Sequence, residues 1–362
     1  MGTINYAGNT YAGEVLEDLL VYTAQGNDTY REGLIHIVPG VQKKKVLPHV
    51  SLGSIIQDNV ATPTSTNGSA NDSTGMNQYK FSERYLEPQD FMVYLEFNPR
   101  DFEEYWKPFQ PDGELIFREL DPKVQATMLH LLVDRKDQYI GDSIWASKKG
   151  GVDSTITSDN PTDNTTIGGA SDAGPMKYFD GFMVRVLDNL KANSASAPTE
   201  AQKNEKASGK VVLAGTTAMA TGEAVEKALY AMYRACPKKL RKSNKLKFVM
   251  GWELWDLYDA YLSSKYAKYT ENADVNKFKF KGKEIKVIDG ITEQTIVLGR
   301  FSKEMDSCLW MAVDYATDQD SVKIEKLQAN SELYFFQMRM KVDVNIVLPS
   351  EIVVWTTYKY TE

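Results

Sequence analysis

Residues 333–348 read LYFFQMRMKVDVNIVL. From Phe336 onward the even positions are Phe336, Met338, Met340, Val342, Val344, Ile346 and Leu348, and the odd positions are Gln337, Arg339, Lys341, Asp343 and Asn345. Successive side chains of a strand point to opposite faces, so this alternation predicts a strand with one apolar and one polar face. It persists for 13 residues, about 43 Å of extended chain, roughly twice the common strand length. A small compact domain has little use for such a strand. A long, thin plate does.

Working outward, shorter strands are predicted at 246–250, 284–288, 295–298, 309–313 and 352–358, each rich in β-branched or aromatic residues. Upstream, Asp121 caps and Pro122 opens a helix over 122–140, with Gly141 as its stop. Val124, Met128, Leu131, Leu132 and Tyr139 fall in one broad stripe of it, and Leu129, Val133 and Ile140 cover another flank. That helix is expected to be packed from two sides. A second helix spans 223–235 before Pro237. A third spans 252–262, with Leu254, Leu257, Tyr258, Tyr261 and Leu262 as one buried face. Segments 61–78, 150–174 and 191–209 are polar, small and turn-rich, and are predicted to be loops.

Ahead of the helix lie two extended-prone segments, 33–50 (GLIHIVPGVQKKKVLPHV) and 80–97 (KFSERYLEPQDFMVYLEF). Pro39, Pro48 and Pro88 keep them from central sheet positions. With a polar tip between them they read as the arms of a long projecting hairpin. Such a hairpin cannot bury its own apolar residues, so it needs a neighbour.

The 362 residues are 42% hydrophobic and 25% charged, ordinary globular proportions that exclude wholesale disorder. A net charge of −7 argues against a free-standing nucleic-acid binder with a broad basic face. Twenty Tyr stand against three His and two Cys, so the residues of much enzyme and metal chemistry are scarce. The first residues carry no secretory signal pattern, and no run of 18 apolar residues is present. A protein made in a cytoplasm is expected, with Cys236 and Cys308 as small buried hydrophobes.

His36, His49 and His130 have no ligand partners at metal spacing and read as structural. No nucleophile elbow, P-loop, zinc or redox motif occurs. Adjacent Glu103 and Glu104 would diverge on any regular element, and the Asp/Asn clusters at 71–73 and 159–164 lack the glycine and terminal acid of a calcium loop. No catalytic, cofactor or metal site is expected. Two basic runs remain: Lys43, Lys44 and Lys45, and 237–247 (PKKLRKSNKLK) with six cations. Each reads as a solvated face, or as a contact with an acidic patch on a neighbouring subunit or with phosphate. Trp252, Trp255, Tyr258, Tyr261, Tyr266 and Tyr269 read as helix packing.

The order of these elements resembles the major capsid protein of tailed bacteriophages, a fold shared with encapsulin shells. Residues 122–145, ending DRKDQYIGDSIW, resemble its spine helix. Residues 178–190 (YFDGFMVRVLDNL) resemble the helix that opens the axial domain. Residues 248–262 (FVMGWELWDLYDAYL) and 280–299, with KGKEIKVIDGI, resemble axial strand, helix and loop segments, and 333–347 the long peripheral strand. The resemblance implies an α+β fold divided into an N-terminal arm (1–35), an extended hairpin loop (36–95), a peripheral domain (96–175) with spine helix 122–140, an axial domain (176–328), and return strands (329–362). It implies hexamers and pentamers closing an icosahedral head around double-stranded DNA that is held without sequence specificity. Scaffold, portal and head accessory proteins would be further partners, with no membrane and no cofactor, and assembly in the host bacterial cytoplasm. No charged scaffold-like region precedes the arm, so a separate scaffold or prior processing is expected. Inter-subunit contacts are expected at Lys43, Lys44, Lys45, Arg339, Lys341 and Asp343. Some relatives weld subunits through a Lys–Asn bond; Lys43–Lys45 and Asn345 are of suitable type, but nothing in the sequence places them together. The rival readings are an encapsulin-like compartment, a β-rich binding or adhesion protein, and an enzyme without a known motif.

Overall fold

The long strand organises one of the two six-stranded sheets among the described residues. The computed structural model describes residues 9–11, 27–52, 79–98, 122–160, 166–265, 278–314, 322–328 and 333–361. In chain order these form β1 (Asn9–Tyr11), α1 (Asp28–Arg31), β2 (His36–Pro39), β3 (Lys45–Leu52), β4 (Tyr79–Leu86), β5 (Gln89–Phe97) and α2 (Pro122–Ala146). Next come β6 (Ile156–Ser158), β7 (Ala170–Ser171), β8 (Gly174–Pro175), α3 (Phe182–Ser194), α4 (Glu200–Ala207), β9 (Val212–Gly215), α5 (Gly222–Ala235), β10 (Leu246–Met250) and α6 (Trp252–Lys265). The rest is strand: β11 (Lys279–Phe280), β12 (Lys283–Val287), β13 (Ile296–Arg300), β14 (Leu309–Asp314), β15 (Val322–Lys326), β16 (Tyr334–Ile346), β17 (Val353–Trp355) and β18 (Tyr358–Tyr360).

β16 is the predicted long strand, and its register explains its length. Along one edge it pairs with β5 from Tyr334 to Val342. Along the other it takes two strands in succession, β15 at Tyr334–Met338 and β14 at Lys341–Ile346. Phe336, Met338, Met340, Val342, Val344 and Ile346 are all buried, as the alternation requires. The polar face starts open at Arg339 but closes at Asp343 and Asn345, both buried, because β4, α3 and α4 lie across that end. The second sheet runs β11-β12-β10-β13-β17-β9. Helices α5 and α6 enclose a core against it around Leu229, Met232, Phe248, Trp255 and Leu298. The larger core joins the end of α2 to α3 and the first sheet through Trp145, Phe182, Phe301 and Val344.

Several expectations need correction. α2 does not stop at Gly141 but runs to Ala146. A glycine costs a helix only about 1 kcal/mol, and burying Ile144, Trp145 and Ala146 outweighs that. Among the described side chains of the helix, Leu131 is 64% exposed, while Val133, Tyr139 and Ile140 are buried. Val124, Met128 and Leu129 lie outside the described side chains. On α6 it is Trp255, not Leu257, that joins Leu254 and Tyr258 inside. The 191–209 loop contains α4, nucleated by a capping box in which Thr199 and Gln202 satisfy each other's backbone N–H groups. α4 buries no residue, so it has no apolar periodicity to announce it. The 150–174 loop carries β6, β7 and the start of β8, and the 352–358 strand is split into β17 and β18.

The hairpin is also shorter than the two segments suggested. Only β3 and β4 form it. β2 leaves to pair in parallel with β14, and β5 leaves to pair with β16, because Val38 and Phe91 find buried places there. Pro39 sits on the edge strand of its sheet and Pro88 in the bend between β4 and β5, positions that need no ladder N–H.

Candidate assembly surface

β3 and β4 pair from Lys45↔Leu86 to Leu52↔Tyr79 with no third strand among the described residues. Two strands alone are marginal in water, and here one face is anchored while the other is open. Inward, Leu47 and Leu86 are buried with Val38, Val41 and Ala312. Outward, Val46, Pro48 and Val50 share a face with Glu83 and Tyr85, and Val46 is 44% and Val50 51% exposed. A second open patch lies on the polar face of the long strand, where Met92 and Tyr94 of β5 stand across from Arg339 and Gln337. Met92 is 56% exposed, and Tyr94 stacks on Phe335 at 6.0 Å between centroids. Exposed apolar side chains grouped this way mark interaction surfaces.

The inward face is fixed by Arg84, a residue the sequence reading passed over. Its Nε donates to Ser208 Oγ at 3.0 Å, and its Nη1 to Asn345 Oδ1 at 3.0 Å and to the Ile346 carbonyl at 2.8 Å. Its Nη2 pairs with the Glu205 carboxylate. One guanidinium thus ties β4 to α4 and to the end of β16. Burial lowers its pKa, and Glu205 opposes that shift. Asn345 completes the joint by donating to the Tyr85 carbonyl at 2.7 Å. The only sequence signal was its place two residues before Leu86, on the same side of an extended segment as that apolar residue.

The expected contact residues fall into two groups. Lys43 is exposed, Lys45 opens β3 opposite Leu86, and Arg339 is exposed. Lys44 bridges to Glu87 at 3.2 Å and lies 3.5 Å from the Tyr85 ring centroid. Lys341 bridges to Asp314 at 3.2 Å. Asp343 faces inward: it accepts from the Glu87 N–H at 2.7 Å and pairs with Arg185 at 3.2 Å. Burial pushes its carboxyl up to about 6, with Arg185 and the Glu87 N–H pulling the other way. Burial also lowers the Arg185 guanidinium, but Asp343, Asp180 and Asp188 more than offset that. The ion pair is therefore the state that holds at neutral pH. Asn345 is likewise enclosed and engaged: its Oδ1 accepts from Arg84 and from the Ile346 N–H, and its Nδ2 donates to the Tyr85 carbonyl.

Residues considered for chemistry are engaged or enclosed within the chain where they are described. His36 is held by the Lys303 carbonyl at 2.7 Å and lies edge-on to Trp310, and His49 contacts Ser82 at 3.4 Å. Cys236 and Cys308 are buried and unpaired, with both thiols raised by burial. Among the described residues no cluster of His, Cys, Asp or Glu has metal-holding geometry, and no helix is long and apolar enough to cross a membrane. The His130 side chain, Glu103, Glu104, the 71–73 cluster, Tyr266 and Tyr269 lie outside the described residues. Trp255 stacks on Phe278 at 4.6 Å, a packing contact, while Trp252 is 49% exposed.

No protein-family model matches the sequence, and no curated protein matches it. Solved structures do. A chain of the satellite phage P4 procapsid that includes the size determination (Sid) protein is 12% identical, with 96% of this chain and 92% of that chain covered and a TM-score of 0.53. A chain of the cyanophage A-1(L) capsid asymmetric unit is 12% identical, with 96% of each chain covered and a TM-score of 0.53. The chain has the α+β fold of phage capsid proteins, which the resemblance in 122–145 and 333–347 implied.

Proposed function

We propose that this chain is a shell-forming major capsid protein, non-catalytic, whose copies join as hexamers and pentamers into the icosahedral head of a tailed phage. The observation that carries this reading is the hairpin: two strands locked inward by Arg84 and Leu86 while Val46, Pro48 and Val50 face outward without cover. Covering such apolar area contributes about 25 cal/mol per Å², and repeated over many neighbours it would hold a lattice. The shared fold supports the same conclusion. In this reading the chain keeps the division into arm, hairpin loop, peripheral, axial and return segments. Lys43, Lys45 and Arg339 meet neighbouring copies, with scaffold, portal and accessory proteins as further partners. The head encloses double-stranded DNA without reading its sequence. A net charge of −7 suits a wall along which DNA must slide. The particle is assembled in the bacterial host's cytoplasm.

Expression of the chain followed by electron microscopy of the purified product tests this. Closed shells of uniform diameter are expected, alone or with a scaffold. A stable monomer or dimer under every assembly condition overturns the reading. Particles filled with a protein cargo instead of nucleic acid would move it to a compartment shell.

A further inference from the structure

The second sheet carries opposite charge at its two ends. Before β10, the turn around Leu240–Lys242 presents Lys238, Lys239 and Lys242, all exposed. Its remaining cations are engaged within the chain. Arg241 donates to the Cys236 and Arg234 carbonyls, Lys245 bridges to Glu304 and Asp306, and Lys247 donates to the Glu32 and Gly33 carbonyls.

After β10 the sheet opens into an acidic basin. β12 runs parallel to β10, from Lys247↔Glu284 to Met250↔Val287, so Asp289 emerges at the same end as Gly251. There a cavity of about 300 Å³ is lined by Asp28, Asp134, Asp137, Asp142 and Asp289, with Arg31 as the one cation among them. It shares Asp142 and Asp289 with an adjoining cavity of about 580 Å³. Asp137 is 8% exposed, and its Oδ1 has no hydrogen-bond partner among the described residues. Lys136, beside it in α2, is also buried with its Nζ unpartnered, so the neighbouring cation does not satisfy this oxygen. Burial and the carboxylates of Asp289 and Asp172 raise the Asp142 carboxyl to about 6, with Arg135 and a hydrogen bond to Ser171 offsetting only part of that.

We propose that the lysine turn of one copy docks at the acidic basin of the next, as a head-to-tail electrostatic contact between copies. The inference rests on the shell reading above and names one contact within it. The two features lie at opposite ends of a five-residue strand, roughly 17 Å apart, so one copy cannot satisfy itself. Head-to-tail contacts between identical copies close rings when the rotation allows. No described group has metal-holding geometry, and the breadth of the basin suits ammonium groups presented on a turn better than a small bare ion.

Charge exchange in the full-length chain tests this. Lys238→Glu with Lys242→Glu alters only exposed residues, as does Asp134→Lys with Asp289→Lys. Each pair is expected to raise the concentration needed for assembly by roughly tenfold or more at about 0.1 M salt, with melting no lower than wild type. Both pairs in one chain should restore assembly to within about threefold of wild type. Mixing the two singly exchanged proteins should restore even-membered rings, since their ends then alternate in sign. Wild-type assembly by the turn variant, or persistent failure of the combined variant with normal melting, overturns the contact. Failure of the basin variant alone would assign the basin to another cation and also overturns it. If the wild-type chain itself never assembles, the shell reading fails instead.

Discussion

Replacing Arg84 with alanine should free the hairpin while leaving the rest of the fold in place. The guanidinium has four partners: Glu205, Ser208 Oγ, Asn345 Oδ1 and the Ile346 carbonyl. Its side chain is 2% exposed and that of Glu205 28%, so removing the cation strands a half-sheltered carboxylate and a buried carbonyl oxygen. Breaking a buried ion pair from one side costs about 3–5 kcal/mol. Leu47 and Leu86 would then be the main inward anchors of β3 and β4. Hydrogen exchange followed by mass spectrometry reads this directly. Peptides covering Lys45–Leu52 and Tyr79–Leu86 should exchange at least about 10²-fold faster, while β10 and β13 keep their protection. Arg84→Lys should recover only part of the loss, because an ammonium cannot reproduce a fork that reaches both α4 and β16. Hairpin exchange within about threefold of wild type would refute the joint. An equal acceleration in β10 and β13 would show that Arg84 supports the whole fold and not the hairpin's attitude.

Val46→Asp combined with Val50→Asp should abolish assembly, read by sedimentation velocity, while shifting stability by no more than about 0.5–1 kcal/mol, since both sites are exposed. Gly222→Ala should cost about 2 kcal/mol or more in urea unfolding: a methyl there would sit 2.2 Å from the Leu257 carbonyl oxygen and force α5 from α6. Asp142 has a folded-state pKa of about 6 against an ordinary 3.8, so the fold holds its proton more tightly than the unfolded chain does. Its contribution therefore favours the fold at low pH, weakens as pH rises from about 4 to 6, and is a full penalty above that. Asp142→Asn should raise stability at pH 8 by about 1 kcal/mol after allowing for solvent screening and leave it unchanged below the unfolded pKa, measured by thermal melting across pH.

The main sheet was legible because strand alternation is local. Phe336 to Ile346 announce their inner face with no knowledge of what covers it, and the burial follows them residue by residue. The polar face was harder. Asp343 and Asn345 read as surface, yet they are enclosed by β4, α3 and α4, elements far away in the chain. Their engagement with Arg185 and Arg84 is a tertiary fact that no periodicity encodes. Gly141 misled for a related reason, since a local stop signal was overridden by the burial of Trp145 and Ile144 downstream. On α4 the apolar pattern was absent, and the capping box Thr199–Gln202 was the one available sign. The hairpin was visible as paired extended segments. Where it ends was set by places for Val38 and Phe91 in a distant sheet.

The long strand also determines how the plate bears a pull. On one edge of β16 the seam between β15 and β14 falls at Arg339 and Met340. On the other edge β5 runs unbroken past that point, from Tyr334 to Val342. The arrangement is that of staggered masonry, in which no joint in one course lies above a joint in the next. A tear entering between β15 and β14 meets continuous strand on β16 and then on β5. Tension applied along the strands is therefore carried past that seam by the covalent backbones of β16 and β5.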